Sequence, residues 1–546
     1  MFSPLANFIN DIALGPEKRK VKQYLDAATR KSVCRDLGEV LAPQLRTFKE
    51  RELLRATFDK YAIEVPSGRK FWTEESFRNH IRSTHADAAI SDAAIRLLWR
   101  SFNFYARHPF PTLLLQPQNV TIDFDAFRRA ALLTVFQCDG LLGTRELDWY
   151  WREDAAFFRR AGFARMFSSI AHASTSWEPQ QQVDAGLAST TSDAIDVLVM
   201  LGPQFIHAVP SQDQLELVAR KLFAEQGPGI TRKQILRQND LSTLVDLLLR
   251  LQLREQRWGL YYHFGDIVEA DSEDRGVTNA LVEFLIGNVS GDNITVQQLS
   301  GRVDLLPNFL LRFQQLWAVL FQPAEATKMI TLPMDKVGLT SISAAISLFA
   351  PHIEFGNAGH QQTDKQDTRV TIEAATQALS TSQDITMVRL TQALSGSLPA
   401  YVVLFTTGAN TTPKTIMGGY FPVPSEKSSH ILFQLQPTLH LLHWAKAKMS
   451  LVDLIKVVGE PHSGGTVASE GSNSPYWIGD PLELGVGLRI DPEKRAVTLT
   501  NSGRLFYVDE AESSGNENSG KSWDVTIQDA RMSIFIVAGA RDDKKN

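Results

Sequence analysis

An α+β fold, helical in its N-terminal half and built mainly of antiparallel strands after about Pro323, is what this sequence predicts, and three observations predict it. Apolar residues recur at helical spacing from Val21 to about Ile170 and do so again from Ala194 to about Gln322. Past Pro323 the texture changes to short β-branched and aromatic runs punctuated by Gly, Pro, Asn and Ser. The composition, 43% hydrophobic and 21% charged, supplies enough apolar material for extended cores and excludes a disordered chain. At 546 residues, domains of ~150 residues would give a chain of several units.

Residues 1–170 form the first helical region, carried by ELLRATFDKYAI, ESFRNHI, AAIRLLWRSFNFYA and FDAFRRAALLTVF. Within it, FDKYAIEVPSGRKFWTEESF has the layout of an EF-hand: a helix, a loop with Gly68, a short pairing segment and an exiting helix. A second such unit ends in VTIDFDAFRRAALL. A calcium loop needs oxygen ligands at alternating positions and a bidentate Glu at its end, whereas Val65, Pro66, Ser67, Arg69 and Lys70 surround Gly68. Two cations stand where carboxylates are required, so the pair is expected to be a degenerate helix–loop–helix unit that serves folding. A calcium-responsive regulator is the alternative this region offers.

Residues 171–193, AHASTSWEPQQQVDAGLASTTSD, are poor in large apolar side chains and read as a linker. Residues 194–322 are a second helical region, in which DLSTLVDLLLRLQLREQRW reads as one amphipathic helix with Leu241, Leu244, Leu247, Leu248 and Leu251 on its apolar face. Residues 323–541 are the β-rich unit. TIEAATQAL reads as helical, and PAYVVLF, TIMGGYF, HILFQL, LGVGLRI, AVTLT, RLFYV and WDVTIQDARMSIFIV read as strands. The polar stretches GNAGHQQTDKQDT and GEPHSGGTVASEGSNSP are expected at the surface, and residues 542–546 are a polar tail.

Fifty-six Lys and Arg against 61 Asp and Glu leave a net charge of −5, which excludes a chain-wide attraction to nucleic acid or anionic lipid. Two cysteines, Cys34 and Cys138, cannot staple a secreted scaffold of this size, so a reducing compartment is expected. The opening MFSPLANFINDIALGPEKRK does not read as a signal peptide, and Phe2 offers no site for N-myristoylation. Apolar runs such as Ala400 to Phe405 fall far short of the ~20 residues that span a bilayer. A cytoplasmic protein without direct membrane insertion follows, with any recruitment to a membrane mediated by a partner.

Gly515-Asn-Glu-Asn-Ser-Gly520-Lys521-Ser522 matches the G-x-x-x-x-G-K-[ST] phosphate loop in every position. That loop works only before a helix, whose N-terminal amides hold the phosphates. The segment after Ser522, WDVTIQDARMSIFIVAG, alternates like a strand, so the match is expected to be fortuitous and a nucleotide-binding protein using Gly515–Ser522 is the weaker alternative. His430, His440 and His443 suggest a metal, but no Cys and no close carboxylate accompanies them, and they read as structural. Neither G-x-S-x-G nor H-E-x-x-H occurs. No catalytic, cofactor-binding or metal-ligating residue is assigned.

The stretch SLPAYVVLFTTGAN followed by MGGYFPVPSEKSSHILFQLQPTLHLLHW resembles the TLDc domain: a strand (Tyr401 to Phe405), a Gly–aromatic segment (Gly418-Gly419-Tyr420-Phe421), paired serines (Ser428-Ser429) and a Phe-containing strand (Leu432-Phe433). YWIGDPLELGVGLRID, Tyr476 to Asp491, is similar to the family's aromatic, Gly-Asp and Gly-rich strand, and WDVTIQDARMSIFIV to its closing strand, whose alternate residues Val525, Ile527, Ala530, Met532, Ile534 and Ile536 include those filling a sandwich. NITVQQLSGRVDLLPNFLLRFQQLWAVLF resembles the helical segment before the domain in fungal members, the restriction-of-telomere-capping group. The chain departs from the family where the Gly cluster is reduced to Gly485 and Gly487 and no Cys–Glu–Thr–Phe stretch lies around Leu499 to Tyr507. The resemblance implies a β-sandwich flanked by helices and no catalytic residues. It also implies a regulatory role: family members bind the vacuolar proton-pumping ATPase (V-ATPase), influence its assembly, and several are tied to oxidative-stress resistance.

Overall fold

In a computed structural model of the chain, the residues described are 14–45, 48–86, 90–111, 120–143, 155–173, 183–203, 208, 210–224, 234–258, 262–269, 274–287, 293–295, 298–299, 302, 305–323, 340–350, 376–381, 385–394, 400–408, 414–422, 429–445, 450–458, 473–480, 485–502 and 522–537. Helices fill the N-terminal half and sheets the C-terminal half, the mixed α+β layout that the sequence predicts.

The first helices are α1 (Gly15–Ala27), α2 (Arg30–Leu41), α3 (Phe48–Tyr61), α4 (Glu74–Thr84), α5 (Asp92–Ala106), α6 (Phe124–Thr134) and α7 (Ala155–Ile170). Their starts are written in the sequence: Thr29, Thr73, Ser91 and Asp123 each accept a backbone N–H at the beginning of α2, α4, α5 and α6. Between α3 and α4, strands β1 (Ile63–Glu64) and β2 (Lys70–Phe71) form a two-residue pair around Gly68, whose φ of +75° is a conformation glycine adopts without strain. Trp72 and Ile122 then exchange both backbone hydrogen bonds, 2.8 and 3.0 Å, joining the two helix–loop–helix units back to back.

Short strands β3 (His172–Ala173), β4 (Gln234–Arg237) and β7 (Asn293–Ile294) make a small sheet, and helices α8 (Val183–Leu201), α9 (Gln212–Ala224), α10 (Gln238–Arg250), α11 (Asp274–Ile286), α12 (Phe309–Leu320) and α13 (Thr340–Phe349) complete the helical half. Helix α8 starts within the stretch read as a linker; it is rich in Ala and β-branched residues, and Ala194, Val197 and Leu198 are buried. The long amphipathic helix expected over DLSTLVDLLLRLQLREQRW is a helix followed by a strand. Leu241, Leu244, Leu247 and Leu248 are buried on α10, but β5 (Leu251–Arg257) begins at Leu251 and pairs with β6 (His263–Ile267). The switch has a tertiary cause: the fully buried Arg312 guanidinium donates to the carbonyls of Leu248 (2.8 Å) and Leu251, satisfying acceptors that the end of a helix leaves open. A second buried cation, Arg165 on α7, pairs with Asp193 at 3.1 Å and donates to the Asp139 carbonyl; burial pushes the Asp139 carboxyl up to about 6.

The β-rich half holds two antiparallel sheets. The first, of six strands, runs β12 (His440–Ala445), β11 (Ser429–Gln436), β10 (Ile416–Phe421), β9 (Ala400–Thr406), β18 (Arg531–Val537), β8 (Thr376–Thr381). The second, of five strands, runs β13 (Ile455–Val457), β14 (Tyr476–Asp480), β15 (Val486–Asp491), β16 (Ala496–Asn501), β17 (Trp523–Ile527). Alternation along each strand sends side chains to two cores. Val403, Phe405, Met417, Leu432, Met532 and Ile534 meet Tyr476, Ile478, Leu488, Ile490, Val497, Leu499 and Ile527 between the sheets. Val402, Leu404, Ile431 and Phe433 face the helices, where Phe349 of α13 lies 5.3 Å from the Phe433 ring. The six-stranded sheet is thus the middle of three layers, helices on one face and a second sheet on the other.

Two strand expectations change. Thr376 to Leu379, read as the end of a helix, belongs to strand β8 (Thr376–Thr381), because pairing with the otherwise open edge of β18 outweighs a weak helical preference; residues 371–375 lie outside the described residues. WDVTIQDARMSIFIV is two strands: β17 ends the second sheet, the chain turns at Asp529 (φ 52°), and β18 enters the first sheet between β9 and β8. The Arg495–Asp529 ion pair, 2.8 Å, and the Ala530 amide donating to the Arg495 carbonyl hold that corner. The expected alternation holds across it: Ile527, Ala530, Met532 and Ile534 are buried and Val525 is half-buried, while the side chain of Ile536 lies outside the described residues.

Candidate interaction surface

The two loops with ligand-like patterns come out differently. At the Gly68 loop, Asp59 at the end of the entering helix is already occupied: Lys70 Nζ donates to one oxygen at 3.0 Å and Arg55 Nε to the other at 2.9 Å. Those hydrogen bonds hold the Asp59 carboxyl below its ordinary range. The loop's own cation, Lys70, stands on that acid, and among the described residues no group of three His, Cys, Asp or Glu could hold a metal ion. Gly515 to Lys521 lies outside the described residues, but Ser522 leads directly into β17, so the helix that a phosphate loop requires does not follow it.

The three histidines do not converge. His430, buried on β11, packs against the Phe421 ring on the sandwich side, and His440 on β12 lies 4.9 Å from the Trp523 ring on the same side. His443, three residues on from His440, is opposite Ile431 on the helix-facing side, because strand side chains alternate with a period of two. Burial lowers the His443 pKa. Cys138 is buried, which pushes its thiol up, and Cys34 is half-buried beside the His108 carbonyl.

The TLDc-like segments form the middle of the sandwich. Gly418 has a structural reason to be glycine: a Cβ there would stand 2.1 Å from the Val403 carbonyl oxygen across the β9–β10 pair. Gly485 has φ +78° at the start of β15, and Gly487 pairs with Gly479. Ser428 lies outside the described residues and Ser429 opens β11.

What these strands leave toward solvent is the outer face of the five-stranded sheet. The buried row Tyr476, Ile490, Val497, Ile527 is cross-strand register on the inner face; one step along is the row Lys456, Trp477, Arg489, Thr498, Thr526 on the outer one. Arg489 and Thr526 are exposed, and Lys456, Trp477 and Thr498 are half-buried. Thr498 and Thr526 hydroxyls meet at 2.9 Å, and the next row places Thr500 beside the exposed Asp524. Directly opposed residues have Cβ atoms ~5 Å apart, so Trp477 stands between two cations on a rigid, twisted platform. An aromatic with an Arg neighbour is the composition that carries binding energy at protein interfaces. Sequence reasoning missed this row, although the alternation in YWIGD and VGLRID places Trp477 and Arg489 together once the strands are paired.

No family model matches this chain, and neither a curated protein nor a solved structure matches it.

Proposed function

We propose that this chain is a non-enzymatic regulatory protein of the TLDc class that acts by binding a protein partner, the vacuolar proton-pumping ATPase, with a role in pump assembly or the oxidative-stress response. It works from the cytoplasm and reaches the vacuole surface through that partner. The observation that carries the reading is the outer face of the five-stranded sheet, turned to solvent among the described residues, with Trp477 between Lys456 and Arg489. Supporting it are the motif resemblance over Tyr401–Phe433 and Tyr476–Asp491 and the three-layer arrangement of helices and two sheets. The occupied Asp59 carboxylate argues against a calcium sensor, and the strand after Ser522 argues against a nucleotide site. Among the described residues no helix is long and apolar enough to cross a membrane, which agrees with recruitment without insertion.

The test is affinity capture of the full tagged chain from a native extract, with co-purifying proteins identified by mass spectrometry. The intact chain is expected to recover pump subunits, and a Trp477→Ala/Arg489→Glu variant to lose them with an unchanged melting temperature. Recovery of no pump subunit by the intact chain would reject the partner; undiminished recovery by the variant would reject the surface.

A further inference from the structure

The charge of this chain is unevenly placed. Helix α1 reads GPEKRKVKQYLDA, with four cations in five positions, Lys18, Arg19, Lys20 and Lys22, all exposed. The helix is anchored by Val21 and Leu25, both buried, and by Glu17, whose carboxylate accepts the Ala208 amide at 3.0 Å. At 3.6 residues per turn, Arg19 and Lys20 stand opposite the Val21–Leu25 stripe and Lys22 on its flank. Arg19, Lys20 and Lys22 make no ion pair among the described residues, although the chain as a whole carries −5. The exposed Lys31 follows at the start of α2, and the acids nearest in sequence are the anchored Glu17 and a single exposed Asp26.

We infer that the solvent face of α1 is a docking surface for an anionic lipid bilayer, engaged through the headgroup phosphates and carboxylates. Two features favour lipid over other polyanions. The cations sit on a convex helix that presents them to a plane, and α1 offers no exposed aromatic on which nucleic-acid bases stack, its one aromatic, Tyr24, being half-buried. Each Lys or Arg held near an anionic surface contributes roughly a five-fold gain in partition, so three to four give on the order of a hundred-fold or more at low salt. The attraction decays within a Debye length, ~10 Å at 0.1 M, which makes it salt-sensitive and keeps the protein peripheral. The inference is independent of the proton-pump reading, since it needs no protein in the membrane.

The experiment is co-sedimentation of the full chain with protein-free vesicles of phosphatidylcholine alone and of phosphatidylcholine with 30% phosphatidylserine. The intact chain is expected to bind the anionic vesicles, to ignore the neutral ones, and to release in 0.5 M salt. Arg19→Glu/Lys20→Glu/Lys22→Glu should weaken partition by well over a hundred-fold, since neutralising the three cations alone removes on the order of a hundred-fold. New acids near a helix N-terminus suit its dipole, so this variant should keep α1 folded; the Gln triple variant, intermediate in affinity, separates charge from any loss of the helix. Absence of binding to anionic vesicles, equal binding to neutral ones, or unchanged binding by the Glu variant would overturn the inference. So would tighter binding to a single-stranded RNA homopolymer than to the anionic vesicles.

Discussion

Acid should loosen the contact between the helix–loop–helix pair and α12, and a single substitution should remove a measured part of that loss. His80 and His85, at the C-terminal end of α4, reach the last carbonyls of α12: His80 Nε2 lies 3.1 Å from the Leu320 oxygen and His85 Nε2 3.0 Å from the Val319 oxygen. His80 is 3% exposed, ringed by Tyr61, Trp72 and Phe321. Burial, reinforced by His85 and Lys60, pushes its pKa down to about 3, and burial lowers His85 as well. Asp266 is the acid that faces His85. A histidine in the unfolded chain titrates near 6.5, so on acidification the unfolded state takes up the proton first. The stability that neutral His80 contributes is therefore complete above pH 6.5 and drains as the pH falls below it. At pH 5.0 one such group accounts for about 2 kcal/mol, a large share of a typical folding free energy. His80→Gln keeps an N–H for the Leu320 carbonyl but cannot titrate. Urea unfolding followed by tryptophan fluorescence at pH 7.5 and 5.0 should show the acid-induced loss smaller by about 2 kcal/mol in the variant. Equal losses in both proteins would refute the assignment.

Gly418→Ala forces a Cβ onto the Val403 carbonyl and should destabilise the sandwich by on the order of 3 kcal/mol, read as a lower thermal midpoint; an unchanged midpoint would contradict the packing described. A chain cut before Trp523 lacks both β17 and β18 and should lose protection from hydrogen exchange throughout the two sheets and with it proton-pump association, whereas a cut after Ala540 should preserve both. Excess Ca²⁺ should leave the melting temperature where Mg²⁺ leaves it, because Lys70 already occupies the Asp59 carboxylate; a rise with Ca²⁺ alone would restore the sensor reading. Lys521→Ala should leave calorimetric titration with ATP unaltered, and ATP binding that disappears in this variant would establish the phosphate loop.

The parts of the fold legible in the sequence are those where local pattern and tertiary environment agree. The helices from α1 to α6 announce themselves because each has an apolar stripe and most have a capping Ser, Thr or Asp, and the strands β9, β10 and β11 because the middle layer buries both their faces and so reads as short apolar runs. Illegible points are those where a distant residue decides. Nothing in DLSTLVDLLLRLQLREQRW reveals that the helix stops at Arg250, since the agent is Arg312, some sixty residues on. TQALST becomes a strand only because β18 needs a neighbour. The candidate surface was half legible: alternation puts Trp477 and Arg489 on one face of their own strands, but the register that sets them side by side, with Lys456 beyond, exists only in the folded sheet.

The placement of β18 has consequences for how the two halves depend on one another. It lies in the interior of the six-stranded sheet, pairing with β9 on one side and β8 on the other, so neither neighbour is complete until residues 531–537 arrive. Until then β9 exposes a row of unpaired amides and carbonyls along a strand that is apolar on both faces, Val403 and Phe405 toward one core, Val402 and Leu404 toward the other. Closing it requires bringing together segments far apart in sequence, the kind of contact that forms late in folding. Because β17 and β18 are joined at Asp529, the same event completes the second sheet and seats Phe535 against the helical layer. That step also brings Thr526 of β17 to the end of the outer row, whereas Lys456, Trp477 and Arg489 stand on β13, β14 and β15, whose pairing needs neither β17 nor β18, so the aromatic end of the row depends on local hairpins and the threonine end on closure of both sheets.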